Sequence, residues 1–268
     1  MKIQAKKSLG QNFLVNPHII DKIVSAAEIS KDDIILEVGP GTGNLTRKLA
    51  EKCGKVIAIE KDQRLIELLR SDFNKMQNVE IIEDDVLARA ALGRIKELLS
   101  AKQYKIVANI PYYITSHFLK TIFEEWPQPK LIVLTIQKEV AQRIMAKPPH
   151  MNLLALSVQY YSAPEIIGYI SKNNFRPVPK VDSAIIRLTP KNQSLRLETT
   201  ERLFRVMKIG FSEKRKQLAP ILSKKLEVNK DTILEAFKKT ELKETARAEE
   251  LSLNQWQELV KILYLVNA

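Results

Sequence analysis

Asp33-Ile34-Ile35-Leu36-Glu37-Val38-Gly39-Pro40-Gly41-Thr42-Gly43 is the stretch that decides the fold. Its first half is apolar without alternation, the pattern of a strand buried on both faces. The glycines that follow let the backbone turn tightly and let a ligand come close to it. Residues 44–52 then show helical spacing. A buried strand, a glycine-rich turn and a helix make the opening unit of a doubly wound α/β sheet.

The alternation continues on both sides of this unit. Strands are expected at residues 55–60, 79–82, 104–109 and 131–136, and helices at 17–27, 63–73, 116–124 and 139–145. Residues 165–170 and 183–188 read as two late strands forming a hairpin at one edge. Residues 151–161 are ambiguous by periodicity. The expected architecture is therefore α/β, a doubly wound, Rossmann-like sheet of about seven strands. Past Pro190 no strand signal survives. Leu203, Met207 and Phe211 recur at helical spacing, as do Ile233, Ala236 and Phe237, and then Trp256, Leu259, Val260 and Leu263. This predicts a basic arm over residues 1–16, an α/β domain over 1–190 and a small all-helical domain over 191–268. Pro220 should kink or end the helix that carries Lys214-Arg215-Lys216.

Charge narrows the class of partner. The chain has 43 basic and 31 acidic residues among 268, a net charge of +12. Both parts share the excess, with 16 basic against 11 acidic residues from position 191 onward and 27 against 20 before it. Such a surface attracts polyanions. A single cysteine, Cys53, rules out an intrachain disulfide, and three scattered histidines show no metal-ligand spacing. No apolar run approaches the ~20 residues that cross a bilayer, and the basic N-terminus has no apolar segment behind it. A cytoplasmic setting without membrane association is expected.

Chemistry enters at the expected C-terminal ends of the strands, where open α/β sheets hold ligands. Glu60 lies 21 residues past Gly39, at the end of the second strand of the unit, where an acid can accept both ribose hydroxyls of a nucleoside. The spacing is G-x-G-x-G, and Pro40 removes an N–H that a pyrophosphate would use, so a dinucleotide is disfavoured. Glu37, beside the turn, suits a cationic ligand. Asp85 can accept from an adenine amino group, with Asp84 as its rival. After the next strand comes Asn109-Ile110-Pro111-Tyr112. A neutral amide offers an acceptor without charge, proline biases Ile110 towards an extended backbone that turns its carbonyl outward, and tyrosine supplies a flat ring. Together they can grip a planar ring bearing an exocyclic amino group.

These motifs occur in one order. Gly10-Gln11-Asn12-Phe13-Leu14 is followed by E-V-G-P-G-T-G at 37–43, Glu60-Lys61-Asp62, Asp85-Val86-Leu87 and N-I-P-Y at 109–112. Gln137-Lys138-Glu139 with Arg143 comes next, then Phe175-Arg176-Pro177-Val178-Pro179-Lys180-Val181-Asp182-Ser183-Ala184. In these the chain resembles the S-adenosylmethionine-dependent rRNA adenine N6,N6-dimethyltransferases, most closely the branch acting on bacterial small-subunit (16S) rRNA.

The resemblance spans essentially residues 6–190. It implies S-adenosyl-L-methionine as methyl donor, lined by Asn12, Leu14, Gly39, Gly41, Glu60, Asp85 and Asn109, with no metal. It implies that Tyr112 and Phe175 sandwich a flipped-out adenine, although Phe175 can also be read as a core aromatic. The Asn109 oxygen and the Ile110 carbonyl would accept the amino hydrogens. The partner would be 16S rRNA in a small-subunit precursor, gripped by Lys6, Lys7, Lys214, Arg215 and Lys216, with the enzyme a monomer. Two other readings remain. One is a large-subunit (23S) adenine methyltransferase conferring macrolide resistance. The other is a non-catalytic RNA-binding assembly or transcription factor on the same fold.

Overall fold

The computed structural model describes residues 5–6, 9–99, 103–191, 197–213 and 215–266. In chain order the first elements are β1 (Phe13–Leu14), α1 (Pro17–Ala26), β2 (Ile34–Val38), α2 (Asn44–Lys52), β3 (Lys55–Glu60), α3 (Gln63–Phe73), β4 (Val79–Glu83) and α4 (Arg89–Leu99). Then come β5 (Tyr104–Asn109), α5 (Thr115–Glu124), β6 (Leu131–Gln137), α6 (Lys138–Ile144), α7 (Leu153–Tyr161), β7 (Ser162–Ile170), β8 (Phe175–Arg176) and β9 (Ser183–Pro190). The last four are α8 (Leu197–Gly210), α9 (Leu218–Leu226), α10 (Lys230–Lys239) and α11 (Leu253–Val266).

The main sheet has seven strands in the order β4-β3-β2-β5-β6-β9-β7. The five from β2 to β6 are parallel, and β9 runs antiparallel to both β6 and β7. Their apolar runs are explained by burial on both faces: Ile35, Leu36, Ile57, Ala58, Ile106, Val107 and Val133 are fully buried. The chain winds outward from β2 to β4, then returns to place β5 beside β2. That reversal is the topological switch point at which α/β sheets bind ligands. The β2–β5 ladder stops at Leu36–Ile106, while the strands run on to Val38 and Asn109. They part there, and a cleft opens between their ends.

Helix boundaries follow local chemistry. Asn16 caps α1 by accepting from the His18 N–H, and Pro17 occupies the first turn, where its missing N–H costs nothing. Asp62 caps α3 through the Arg64 N–H at 3.3 Å.

Two sequence expectations change. Residues 142–161 belong with 191–268 in a second compact unit, so the first unit is 1–141 with 162–190 and the boundary at 190 is incomplete. The cause is packing: Met151, Ala155, Leu156 and Tyr160, on and just before α7, share an apolar cluster with Leu203, Met207, Phe237 and Trp256. Pro220 does not end a helix. It lies in the first turn of α9, and Arg215 and Lys216 precede that helix. Within the arm, β1 pairs antiparallel with β8, Phe13 opposite Arg176 and Leu14 opposite Phe175. The two late strands do pair, with β7 as the edge. Lys7 and Lys214 lie outside the described residues.

Candidate active site

Four strand tips, those of β2, β3, β4 and β5, meet at the switch point. The turn after β2 is tied to β3 by Gly39 N–H to the Ile59 carbonyl at 2.9 Å, and the tip of β4 by Asp84 N–H to the Glu60 carbonyl at 3.0 Å. The cleft among them is lined by Gly39, Gly41, Glu60, Asp85, Asn109, Ile110 and Tyr112, all expected from the sequence, and by Asn12 of the arm. Gly41 has φ +60°, and a Cβ there would meet the Phe13 ring at 2.9 Å, so the turn tolerates no side chain.

Glu60 is 7% exposed and accepts three backbone N–H bonds, from Lys61 at 2.9 Å, Asp62 at 3.0 Å and Gly41 at 3.3 Å. Burial raises its pKa, against the pull of those bonds. Its orientation is therefore fixed by the same turn that shapes the cleft. At β4, Asp84 is committed to Arg94 at 3.0 Å. Asp85 is the more exposed acid. Its Oδ1 accepts from Leu87 N–H at 3.1 Å and its Oδ2 lies 3.4 Å from the Lys61 ammonium. Of the two rivals, Asp85 has the oxygen held only by a half-exposed ion pair, which is easily exchanged.

Asn109 ends β5, and its Nδ2 donates to the Asn12 carbonyl at 3.2 Å. That bond uses one of the amide's two N–H groups, fixes which way the amide faces and leaves Oδ1 as an acceptor. Pro111, at φ −57° and ψ 133°, opens a 3-10 turn over Tyr112–Ile114. The Tyr112 hydroxyl bonds Ser183 Oγ at 2.6 Å, at the start of β9, which fixes the ring's plane. Burial raises the pKa of this phenol.

Two expected residues stand elsewhere. Phe175 is fully buried and packs with Leu14, Ile170 and Ile185 in the core of the first unit. It does not line the cleft, so the structure sets it apart from Tyr112, the expected partner ring. The cause is the β1–β8 pairing, which sets Phe175 opposite Leu14 and turns a Pro-flanked loop residue inward. Leu14 is itself 5% exposed and lines a small side cavity with Glu37, Asn44 and Asn109 rather than the main cleft.

Glu37 faces that side cavity. It is 1% exposed, its Oε2 has no hydrogen-bond partner among the described residues, and burial pushes its pKa up to about 8. An orphan carboxyl oxygen beside the glycine turn belongs to an acid that burial holds neutral up to about pH 8, and a cationic group alongside, as in S-adenosylmethionine, would favour its ionised form. The raised pKa has a consequence for stability. The folded chain favours the protonated acid, so the stabilisation is complete below the unfolded pKa and is lost as pH rises through about 8. Glu37→Gln, which stays neutral, should therefore lose less Tm than the parent between pH 5.5 and 8.5, by on the order of 2 kcal/mol or roughly 4–8 °C at the upper end. Parallel melting curves at the two pH values check this, and equal losses would contradict it.

Sequence reading missed Lys61, Tyr113 and Gln11 as cleft residues. Lys61 and Tyr113 each carried a signal, since each directly follows a residue already assigned to the site. Among the basic residues expected to hold RNA, Arg215 is exposed, Lys216 is exposed with Glu213 at 3.1 Å, and Lys6 lies 3.6 Å from Asp62.

Comparison with known proteins gives a consistent picture. The family model for ribosomal RNA adenine dimethylase matches residues 2–264. A ribosomal RNA small subunit methyltransferase A from Lachnoclostridium phytofermentans is 38% identical, covering 96% of this chain and 91% of the relative. The protein of the same name from Bacillus pumilus is also 38% identical, over 96% and 91%. A crystal structure of a dimethyladenosine transferase from Plasmodium falciparum superposes with TM-score 0.79 at 31% identity, covering 92% of this chain and 95% of that one. The 23S rRNA methyltransferase ErmE superposes with TM-score 0.76 at 27% identity, over 94% and 100%.

Proposed function

The chain belongs to the ribosomal RNA adenine dimethylase family, and we propose that it dimethylates the N6 amino groups of adenines in small-subunit (16S) rRNA, using S-adenosylmethionine, during assembly of the small subunit. The observation that carries this reading is the Asn109 amide, pinned by its nitrogen to Asn12 beside the Tyr112 ring, on the same cleft as Glu60 and Asp85.

S-adenosylmethionine supplies a methyl group already activated on a sulfonium, so the chain has to bind, orient and exclude water. Glu60 would hold the ribose hydroxyls, Asp85 the adenine amino group of the donor and Glu37 the cationic side. Gly39 and Gly41 would let the donor lie close to the backbone. The target amine is a poor nucleophile because its lone pair is delocalised into the purine. Asn109 Oδ1 and the Ile110 carbonyl would accept its two hydrogens. As the lone pair localises, positive charge grows on nitrogen, and both oxygens stabilise it. Each transfer forms one N–C bond as the S–CH3 bond of the sulfonium breaks, its electron pair staying on sulfur in the thioether S-adenosylhomocysteine. One amine proton is released to solvent, and one N–H remains after the first transfer for the second. Tyr112 would stack on the extruded base.

Tyr112→Phe keeps the ring and loses only the Ser183 bond, so single-turnover transfer should fall about 2–10-fold; Tyr112→Ala should fall by about a hundredfold, as loss of one base-stacking platform requires. Equal rates for the Ala variant and the parent would remove Tyr112 from the site.

Lys6, Arg215 and Lys216, with Lys7 and Lys214, would meet phosphates, reading folded RNA shape more than sequence. The chain would act as a monomer in the cytoplasm, with no metal. No described helix is long and apolar enough to cross a membrane. The reading is tested by incubating unmethylated small and large subunits in parallel with methyl-labelled donor and mapping the products. N6,N6-dimethyladenosine in small-subunit rRNA is expected. Label confined to 23S rRNA would favour the large-subunit activity, and absence of donor binding would favour a non-catalytic RNA-binding factor.

A further inference from the structure

The ribose acid Glu60 is followed two residues later by a second carboxylate that the mechanism does not use. The Asp62 side chain is 1% exposed, as buried as a core leucine. It accepts Arg64 Nη2 at 2.7 Å and Nε at 3.1 Å, and it accepts Gln11 Nε2 at 2.9 Å across 51 residues of sequence. Capping α3 requires one oxygen and one N–H. The bond to Gln11 lies outside that requirement, and it reaches into the arm.

Gln11 is in turn folded back on the arm, its Oε1 accepting Lys6 N–H at 2.7 Å. Asn12 follows, with its Nδ2 on the Gly10 carbonyl at 3.1 Å and its own carbonyl on the Asn109 amide. Gly10 has φ +61°, and a Cβ there would meet the Tyr113 ring at 3.1 Å, so the arm lies flush against the turn that follows β5. Leu9 to Phe13 form one wall of the cleft. A continuous path of hydrogen bonds and chain therefore runs from Asp62 through Gln11 and Asn12 to Asn109.

We propose that Asp62 is a positioning residue: through Gln11 it latches the N-terminal arm over the cleft, and the latched arm supplies the Asn12 carbonyl that turns the Asn109 oxygen towards the amine to be methylated. Asp62 touches neither donor nor target. With the arm released, Asn109 loses its nitrogen's partner, and the amide rotates freely between acceptor-in and donor-in orientations. The cleft also loses one wall. Both donor affinity and transfer rate depend on the latch, and the catalytic role rests on the function proposed above.

The test is a polarity swap in the full-length chain. Gln11→Glu sets a second carboxylate against Asp62 and should free the arm. Gln11→Glu combined with Asp62→Asn restores a donor–acceptor pair with the two ends exchanged, and asparagine still caps α3. Three readouts are compared: the rate of tryptic cleavage after Lys6 and Lys7, donor affinity by calorimetry with S-adenosylmethionine, and single-turnover transfer to unmethylated small subunits. Gln11→Glu should be cleaved about tenfold faster and lose about tenfold in both affinity and rate, since like-charge juxtaposition costs more than the 1.4 kcal/mol that a factor of ten represents. The double variant should recover most of each.

Unchanged cleavage in Gln11→Glu, or a double variant no better than the single one, overturns the latch. A purely structural role for Asp62 would instead lower Tm in the double variant without recovery of cleavage or affinity. Should the parent neither bind the donor nor transfer methyl groups while Gln11→Glu still frees the arm, the latch stands as a feature of the fold and the proposed function falls.

Discussion

Asn109→Ala should reduce single-turnover methyl transfer by about a thousandfold or more while donor affinity changes by less than about tenfold. The asymmetry follows from when the side chain is needed. Its oxygen interacts weakly with a neutral aromatic amine and strongly with a nitrogen gaining positive charge, so its contribution belongs to the transition state. A loss of about 4 kcal/mol matches the removal of one preorganised electrostatic group from a water-excluded site. Asn109→Asp sharpens the test. It keeps an oxygen but replaces Nδ2, which now donates to the Asn12 carbonyl at 3.2 Å, with a second oxygen facing that carbonyl. Repulsion there should disorder the end of the arm, and the Asp variant should transfer no better than Ala. Rapid-quench measurements at saturating donor check both, and a rate for either variant within tenfold of the parent would remove Asn109 from the reaction.

Glu60→Ala should act on donor binding, weakening it by about a hundredfold. The carboxylate accepts from three backbone N–H groups and is 7% exposed, so its loss removes the ribose acceptors and also strands the donors of Gly41, Lys61 and Asp62. The N–H groups of Gly41 and Asp62 are buried, and each stranded there costs about 1–3 kcal/mol, so Tm should fall by several degrees as well. Glu60→Gln retains one acceptor and should lie between the two. The raised pKa of Glu60 adds a pH dependence. Only the carboxylate accepts two hydroxyl hydrogens, so donor affinity should decline as pH falls through that raised value, and in Glu60→Gln the decline should flatten. Calorimetric titrations across pH check this, and the same pH profile in parent and variant would assign the decline to another group.

The sheet was legible because its parallel strands are buried on both faces and read as unbroken apolar runs, and the bounds of β3 and α3 came out as read. The cleft was legible because strand ends carry its chemistry: Gly39, Gly41, Glu60, Asp85 and Asn109 each follow or close a strand. What escaped depends on partners distant in sequence. Two-residue strands such as β1 and β8 have no period to read, so the pairing that buries Phe175 left no local trace. Residues 153–161 are apolar enough for strand or helix, and only packing against Leu203 and Trp256 assigns them to the helical unit. Helix α4, with Gly93 inside it, was not anticipated. The Gln11–Asp62 bond joins a turn-like pair to a helix cap, and neither end marks the other in the sequence.

The most direct test of the site is a structure of the chain with S-adenosylmethionine bound. The expected result is a donor lying along the cleft with its ribose on Glu60, its adenine at Asp85 and its methyl group facing the Asn109 oxygen, with the Asn109 nitrogen still on Asn12. A donor seated elsewhere, or a methyl group turned away from Asn109, would contradict it.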